Sequence, residues 1–303
     1  MRKKNIYIVL SLVLTLTMIQ NVHAEVWKMY NVNTKHYFSV SAGGGYYLLL
    51  ENIPDISTIG GGAGLFGVGY EMRYNGFWFS LGADLLYGTS TLSMDGWDAY
   101  REIYDTQGKK VTYSYSVAEY HDTQRDFRIG VPLMIGFFTN GVYGGIGGKF
   151  SYAPRTMTTP TITYTTVGTY NQYLADFVSM PNHFYTDYTE KGTSRVEMVP
   201  QGSVCAELGF DILNKERMSA YSLCSVLKVA IYAEYGINSC VKGPEHDDMV
   251  FGFNTQDASR LTVGAYYARI STKDMRIVPF YVGVKVSFML RIKTASCHCD
   301  GPL

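Results

Sequence analysis

The sequence predicts an all-β protein, an antiparallel transmembrane up-and-down β-barrel of eight strands, on three observations. The chain is rich in Tyr (26) and Gly (31) and poor in charge, with 17% Asp, Glu, Lys and Arg. Eight segments alternate apolar with small or polar residues, the period-2 signature of a strand with two unlike faces. The connections between those segments are alternately short and long, the rhythm of outer-membrane barrels with tight periplasmic turns and long extracellular loops.

The N-terminus reads as an export signal. Arg2, Lys3 and Lys4 precede an apolar run from Ile6 to Ile19, and Val22-His23-Ala24 offers a small-x-small cleavage site before Glu25. Residues 1–24 are therefore expected to be removed, with a short periplasmic segment over 25–36. The run falls below the ~18 apolar residues of a true span, which argues against an uncleaved anchor. No Cys follows the small residues, so lipid anchoring is not expected. After residue 24 no stretch approaches the ~20 apolar residues of a spanning helix.

The barrel is expected over 37–292. Its first strand sets Phe38, Val40, Ala42, Tyr46, Leu48 and Leu50 against Ser39, Ser41, Gly43 and Gly45. The second sets Phe66, Val68, Tyr70, Met72 and Tyr74 against Gly67, Gly69, Glu71 and Arg73. Asn75-Gly76 then marks a two-residue hairpin, because both positions of such a turn need positive φ. The third strand carries Phe77, Phe79, Leu81, Ala83, Leu85 and Tyr87 on one face, with Ser80, Gly82, Asp84 and Gly88 on the other. The fourth alternates Phe127, Ile129, Val131, Leu133, Ile135 and Phe137 with Arg128, Gly130, Pro132, Met134 and Gly136. After the turn Thr139-Asn140-Gly141, the fifth places Ile146, Phe150 and Tyr152 opposite Gly145, Gly147, Lys149 and Ser151. The sixth runs over 203–212, the seventh over 227–236 and the eighth over 280–290, each with the same alternation.

The segments 51–62, 91–123, 154–198 and 239–276 are expected as loops, the last three long. Arg260 to Thr272 contains a strand-like run that reads either as a hairpin within the loop or as part of a ten-strand count. Residues 293–303 are expected to form a short periplasmic tail.

Ten charges fall on the inward face: Glu71, Asp84, Glu207, Asp211 and Glu234, with Arg73, Arg128, Lys149, Lys228 and Lys285. An eight-stranded barrel is just wide enough for side chains to fill, and buried charges persist only when paired. The expectation is a lumen plugged by ion pairs rather than an open, charge-lined pore.

Three segments carry a family likeness: Arg128-Ile129-Gly130-Val131-Pro132-Leu133, Val142-Tyr143-Gly144-Gly145-Ile146-Gly147-Gly148, and Tyr281-Val282-Gly283-Val284-Lys285-Val286-Ser287-Phe288. In these the chain resembles the small outer-membrane barrels of the Bacteroidota, the PorT-like and OmpA-barrel-like groups. The last segment matches the assembly signal of barrel proteins at Tyr281, Gly283, Val286 and Phe288. The resemblance implies insertion by the barrel assembly machinery. It implies no single activity, since members include secretion-machinery components, and no peptidoglycan-binding domain is expected after the barrel.

No enzyme, cofactor or metal site is expected. Lipid-deacylating barrels carry Ser, His and Glu on the lipid-facing surface, and none of His23, His36, His121, His183, His246 and His298 is expected on an outward strand face. Omptin-type proteases place Asp and His at the extracellular rim, where a base would activate water; Tyr120-His121-Asp122 and Glu245-His246-Asp247-Asp248 fall in loops at that end, but their spacing is undiagnostic and solvated loop polarity is the expectation. Cys205, Cys224, Cys240, Cys297 and Cys299 are odd in number, leaving at least one unpaired within a monomer. Cys297-His298-Cys299 lacks structural zinc spacing. Formal net charge is zero, so nucleic acid is not an expected partner. The expected partners are outer-membrane lipid, the assembly machinery, and an extracellular or secretion-complex protein met by the loops, of which 154–198 is rich in Thr and Tyr. A structural or surface-interaction role leads; an accessory secretion barrel, a small porin and a rim hydrolase follow in that order.

Overall fold

A computed structural model describes residues 34–52, 56–170, 184–214, 225–271 and 274–292. The expected signal peptide, most of the 25–36 segment, the 293–303 tail, and His23, His183, Cys224, Cys297, His298 and Cys299 lie outside the described residues.

Eight strands close into a ring. They are β1 (Lys35–Leu50), β2 (Ile56–Tyr74), β3 (Phe77–Tyr104), β4 (Lys110–Thr139), β5 (Val142–Tyr170), β8 (Gln201–Asn214), β9 (Ser225–Gly236) and β13 (Val278–Ile292). Each pairs antiparallel with its neighbours in that order, and β1 pairs with β13 from His36↔Ile292 to Leu50↔Val278 to close the circle. The closure removes the free edges that an open sheet would present. Asn75 (φ 44°) with Gly76 (φ 84°), and Asn140 (φ 48°) with Gly141 (φ 85°), make the two tight turns at one end. Their left-handed backbone is the reason that Asn-Gly occupies both.

Around the turn end runs an apolar belt. On β3 it spans Phe77 to Tyr87, on β4 Phe127 to Phe137 and on β13 Phe280 to Leu290, with Phe77, Leu81, Leu85, Ile129, Ile135 and Val286 among its exposed side chains. Ten residue steps at about 3.3 Å, tilted by about 40°, give a height of about 25 Å. Gly45 and Gly283 face each other across β1 and β13 on the inner side. A Cβ on Gly283 would lie 2.4 Å from the Gly44 carbonyl oxygen and 2.5 Å from the Tyr281 hydroxyl.

Above the belt the structure departs from the expected loops. Most of 91–123 is strand: β3 and β4 continue paired to a hairpin tip at Asp105–Lys109, with register to Tyr104↔Lys110. β5 continues beside β4 to Val111↔Tyr170. β6 (Phe184–Lys191) and β7 (Ser194–Met198) then take the place beside β5 that β8 holds lower down. Here the faces invert. The inner face carries Tyr113, Tyr115, Val117, Tyr120, Ile162 and Tyr164, all buried, and the outer face carries Thr112, Ser114, Ser116, Thr123, Thr161 and Thr163. The result is a four-stranded sheet, β3 to β6, that rises past the belt on one side of the barrel.

The inverted inner face is covered by the last long connection. It holds β10 (Val241–Lys242), β11 (Phe251–Phe253), β12 (Leu261–Val263) and the one-turn α1 (Tyr266–Arg269). β11 and β12 pair only with each other, so the run near 261–267 is a hairpin within the connection and the ring count is eight. Leu261, Tyr267 and Ile277 are essentially inaccessible, packed with Tyr115, Tyr120 and Tyr164 in one cluster, and Ala265 is buried as well.

Candidate functional site: a charged lumen beneath a projecting sheet

The inward positions of the belt strands bring nine of the ten predicted charges into mutual pairs. Nearest the turns, Arg73 Nε lies 2.8 Å from Glu71 Oε1 and its Nη1 2.7 Å from Asp211 Oδ2, while Lys228 Nζ lies 2.9 Å from Glu71 Oε2. Aromatic faces complete the cage: Arg73 sits over Tyr37 and Phe138, and Lys228 is 3.7 Å from the centroid of Tyr143. Next, Lys285 pairs with Glu207, whose other oxygen accepts from the Tyr143 hydroxyl at 2.8 Å. Above that, Lys149 Nζ bridges Asp84 at 3.0 Å and Glu234 at 2.7 Å.

Arg128 is the tenth, and its partner was not among the predicted residues. Arg128 Nη2 lies 3.1 Å from Asp126 Oδ2, and its Nη1 donates to Gln201 Oε1. Tyr47 donates to the same Asp126 carboxylate. Simple alternation places Asp126 two residues before Arg128 on the same face; starting the strand at Phe127 hid it. Cys205 and Cys240 are buried free thiols, Cys205 accepting from the Tyr232 hydroxyl at 3.1 Å.

Between these layers lies a cavity of about 60 Å³, lined by groups that include Ser41, Asp84, Glu207, Lys228 and Lys285. Such a volume holds a few waters among polar partners. Of the assembly-signal residues, Tyr281 and Gly283 face inward, with Tyr281 buried against Tyr232, while Val286 and Phe288 are exposed on the belt.

The connection over the projecting sheet is held by polar contacts as well as packing. Leu261 N–H donates to the Tyr164 hydroxyl at 2.9 Å, the Tyr120 hydroxyl to the Gly264 carbonyl at 2.9 Å, and Tyr266 N–H to Asp122 Oδ2 at 3.0 Å. Arg101 donates to the Asn254 carbonyl at 3.1 Å, and Arg260 pairs with Glu190 at 3.0 Å. Burial pushes the Asp122 carboxyl up to about 6, against the hydrogen bond from the Tyr266 N–H that favours its charged form.

The histidine expectation needs correction. His36 and His121 both stand on outward faces, His36 stacked on Tyr70 at the turn end and His121 on the projecting sheet. His121 Nε2 is 3.0 Å from Glu119, and Ser93 is its cross-strand neighbour. Such a Ser/His/Glu grouping needs donors for an oxyanion. Here β3 is paired on both sides at Ser93, with β2 and β4, and β4 is likewise paired on both sides at His121, so the ladder consumes the backbone N–H groups. His121 and Asp122 face opposite sides of β4, and Asp247 and Asp248 are engaged by Ser271 and Arg269, so neither rim motif converges on one point. Among the described residues no cluster of three His, Cys, Asp or Glu side chains is arranged to hold a metal.

No protein-family model and no curated protein matches the chain. Among solved structures the chain is similar to Ail, the attachment invasion locus protein of Yersinia pestis, in complex with the heparin analogue sucrose octasulfate. That match is 10% identical, covers 84% of this chain and 99% of that chain, and has a TM-score of 0.24. At that score the eight-stranded ring rests on the strand pairing itself.

Proposed function

We propose that the chain is a non-enzymatic outer-membrane protein that spans the bilayer with its ring of eight strands and works through the part that projects outside. The observation that carries this is the inversion of faces along single strands. From Phe77 to Tyr87, β3 is apolar outward over the thickness of a hydrocarbon core; from Thr89 onward the outward face is hydroxyl-bearing or charged. A contiguous apolar surface of that extent exceeds what water-exposed monomers present, and lipid is the solvent it suits. The turn end then faces the periplasm and the β3–β6 sheet faces out. Ion pairs in the lumen and the docked 237–277 connection close the barrel to solute, so the role is one of surface contact rather than passage. Barrel assembly machinery would insert it, consistent with the PorT-like and OmpA-barrel-like resemblance.

Epitope insertion tests the orientation. A tag placed between Gln107 and Gly108, at the hairpin tip, is expected to bind antibody on intact cells. The same tag between Asn140 and Gly141 is expected to need permeabilisation. Equal exposure of both, or the reverse pattern, contradicts the reading. An accessory secretion barrel would instead be revealed by a stoichiometric partner complex on purification in mild detergent.

A further inference from the structure

The ring has no edges, but the projecting sheet does. β2 leaves β3 at Ile56↔Met94, and beyond that point β3 pairs with β4 alone. Among the described residues no strand lies on the other side of Asp95–Tyr104. The phase of this free edge follows from the hairpin tip, where Asp105 N–H donates to the Lys109 carbonyl at 2.9 Å. Antiparallel pairs alternate between bonded and non-bonded, so Ile103↔Val111, Arg101↔Tyr113 and Ala99↔Tyr115 exchange hydrogen bonds. The N–H and C=O groups of Asp98, Tyr100 and Glu102 therefore point away from β4, into solvent.

The same three residues put their side chains on the outer face, where Tyr100 is 67% exposed. The surroundings are acidic. Asp95 stands directly across from Glu119, a like-charge pair that costs stability. Glu102 is held by Lys110 at 2.7 Å and Glu119 by His121, while no ion pair engages Asp95 or Asp98 among the described residues. Native proteins commonly protect long edges with charged side chains, prolines, bulges or a covering element, and the outward charges of this edge, Asp95, Asp98 and Glu102, are all acidic. Asp95–Tyr104 has no Pro and no Lys.

We infer that this edge is a docking site for an extended polypeptide segment of another protein, with basic side chains at alternate positions, which adds as a fifth strand beside β3. It rests on the reading of the sheet as exposed at the cell surface. Main-chain bonds to Asp98, Tyr100 and Glu102 supply affinity, and side chains directly opposite those residues share their outer face, where Lys or Arg meets the acids. A second copy of this chain fits less well: antiparallel self-pairing centred on Tyr100 sets Asp98 against Glu102.

The test uses the full chain in zwitterionic detergent and two fluorescent decapeptides, alternating Lys-Val and alternating Glu-Val, with binding read by anisotropy. Tyr100→Pro removes one free-edge donor and no hydrogen bond of the sheet, since proline is tolerated on edge strands; Tyr100→Thr keeps the donor. The Lys-Val peptide is expected to bind, at least tenfold more weakly to Tyr100→Pro and to Asp98→Lys, and unchanged within threefold to Tyr100→Thr. The Glu-Val peptide is expected not to bind. Equal binding to Tyr100→Pro, equal binding of the two peptides, or absence of binding overturns the inference. So does a dimer in detergent that Tyr100→Pro dissolves, which would make a second copy the occupant. If the tag at Gln107 reaches antibody on intact cells while these binding results fail, the edge inference alone falls; if the tag is hidden, the reading beneath it falls.

Discussion

Lys149 is the most economical place to test the lumen network. Its side chain is about 1% exposed, and its ammonium joins two carboxylates, Asp84 at 3.0 Å and Glu234 at 2.7 Å, that are themselves buried. Lys149→Met keeps much of the volume and removes the charge, leaving two acids facing each other with the nearest base, Lys285, committed to Glu207. Breaking a buried pair this way costs about 3–5 kcal/mol, because the remaining charge loses its compensation. Against a slope of about 1–3 kcal/mol per molar urea, the unfolding midpoint should fall by at least about 1 M. Urea titration in detergent, followed by tryptophan fluorescence and by the heat-dependent gel shift of folded barrels, reads the change. Neutralising the acids as well, in Lys149→Met/Asp84→Asn/Glu234→Gln, should recover most of the loss, since a neutral, hydrogen-bonded interior replaces ion pairs at little cost. A Lys149→Met midpoint within about 0.3 M of the parent, or a triple variant no more stable than the single one, would refute the reasoning.

Two further outcomes follow from named contacts. The docked connection should hold more tightly as pH falls: Asp122 rises from 3.8 to about 6 on burial, so its protonated form favours the docked state. The gain begins as pH drops through 6 and is complete below about 4, amounting to about 3 kcal/mol. Asp122→Asn should abolish that slope and slow exchange at pH 7; hydrogen exchange at the Leu261 and Tyr266 amides, corrected for intrinsic rates, would contradict it by showing the same pH slope in both proteins. Gly283→Val should prevent barrel closure, because its Cβ meets the Gly44 carbonyl at 2.4 Å, a backbone atom that cannot move aside. Val284→Ala on the outward face should fold normally; a folded, heat-resistant Gly283→Val band would dispose of the argument.

The belt strands were legible because they keep one rule, apolar outward, over eleven residues at a time. The projecting strands were not, and the cause is physical. Beyond the belt, where a protein segment covers the inner face, the rule reverses. Tyr113-Ser114-Tyr115-Ser116 alternates as cleanly as any belt segment, but with the aromatic residues inside. Bulges obscure it further: between Val117 and Glu119 on β4 the register shifts, so inward residues change from odd numbers to even. A template seeking aromatic residues outward sees no strand there. The same boundary concealed Asp126 and Asp122, and it set His121 on an outward face where a loop had been expected. Gln201 and Tyr47, which complete the Arg128 group, carry no sequence signal, since their meeting depends on closure between β1, β4 and β8. The ten inward charges were visible because, on a strand whose outward face is apolar throughout, the polar residues stand together on the other face.

The central claim is that the chain acts on the outside of the membrane and not through its lumen. Single-channel recording of the purified full chain in planar bilayers tests it most directly. The account predicts a silent barrel at neutral pH, with no stable conductance step, because ion pairs from Arg73 to Arg128 fill the section and the 237–277 connection covers it. Stable, repeated openings in the parent protein would contradict it.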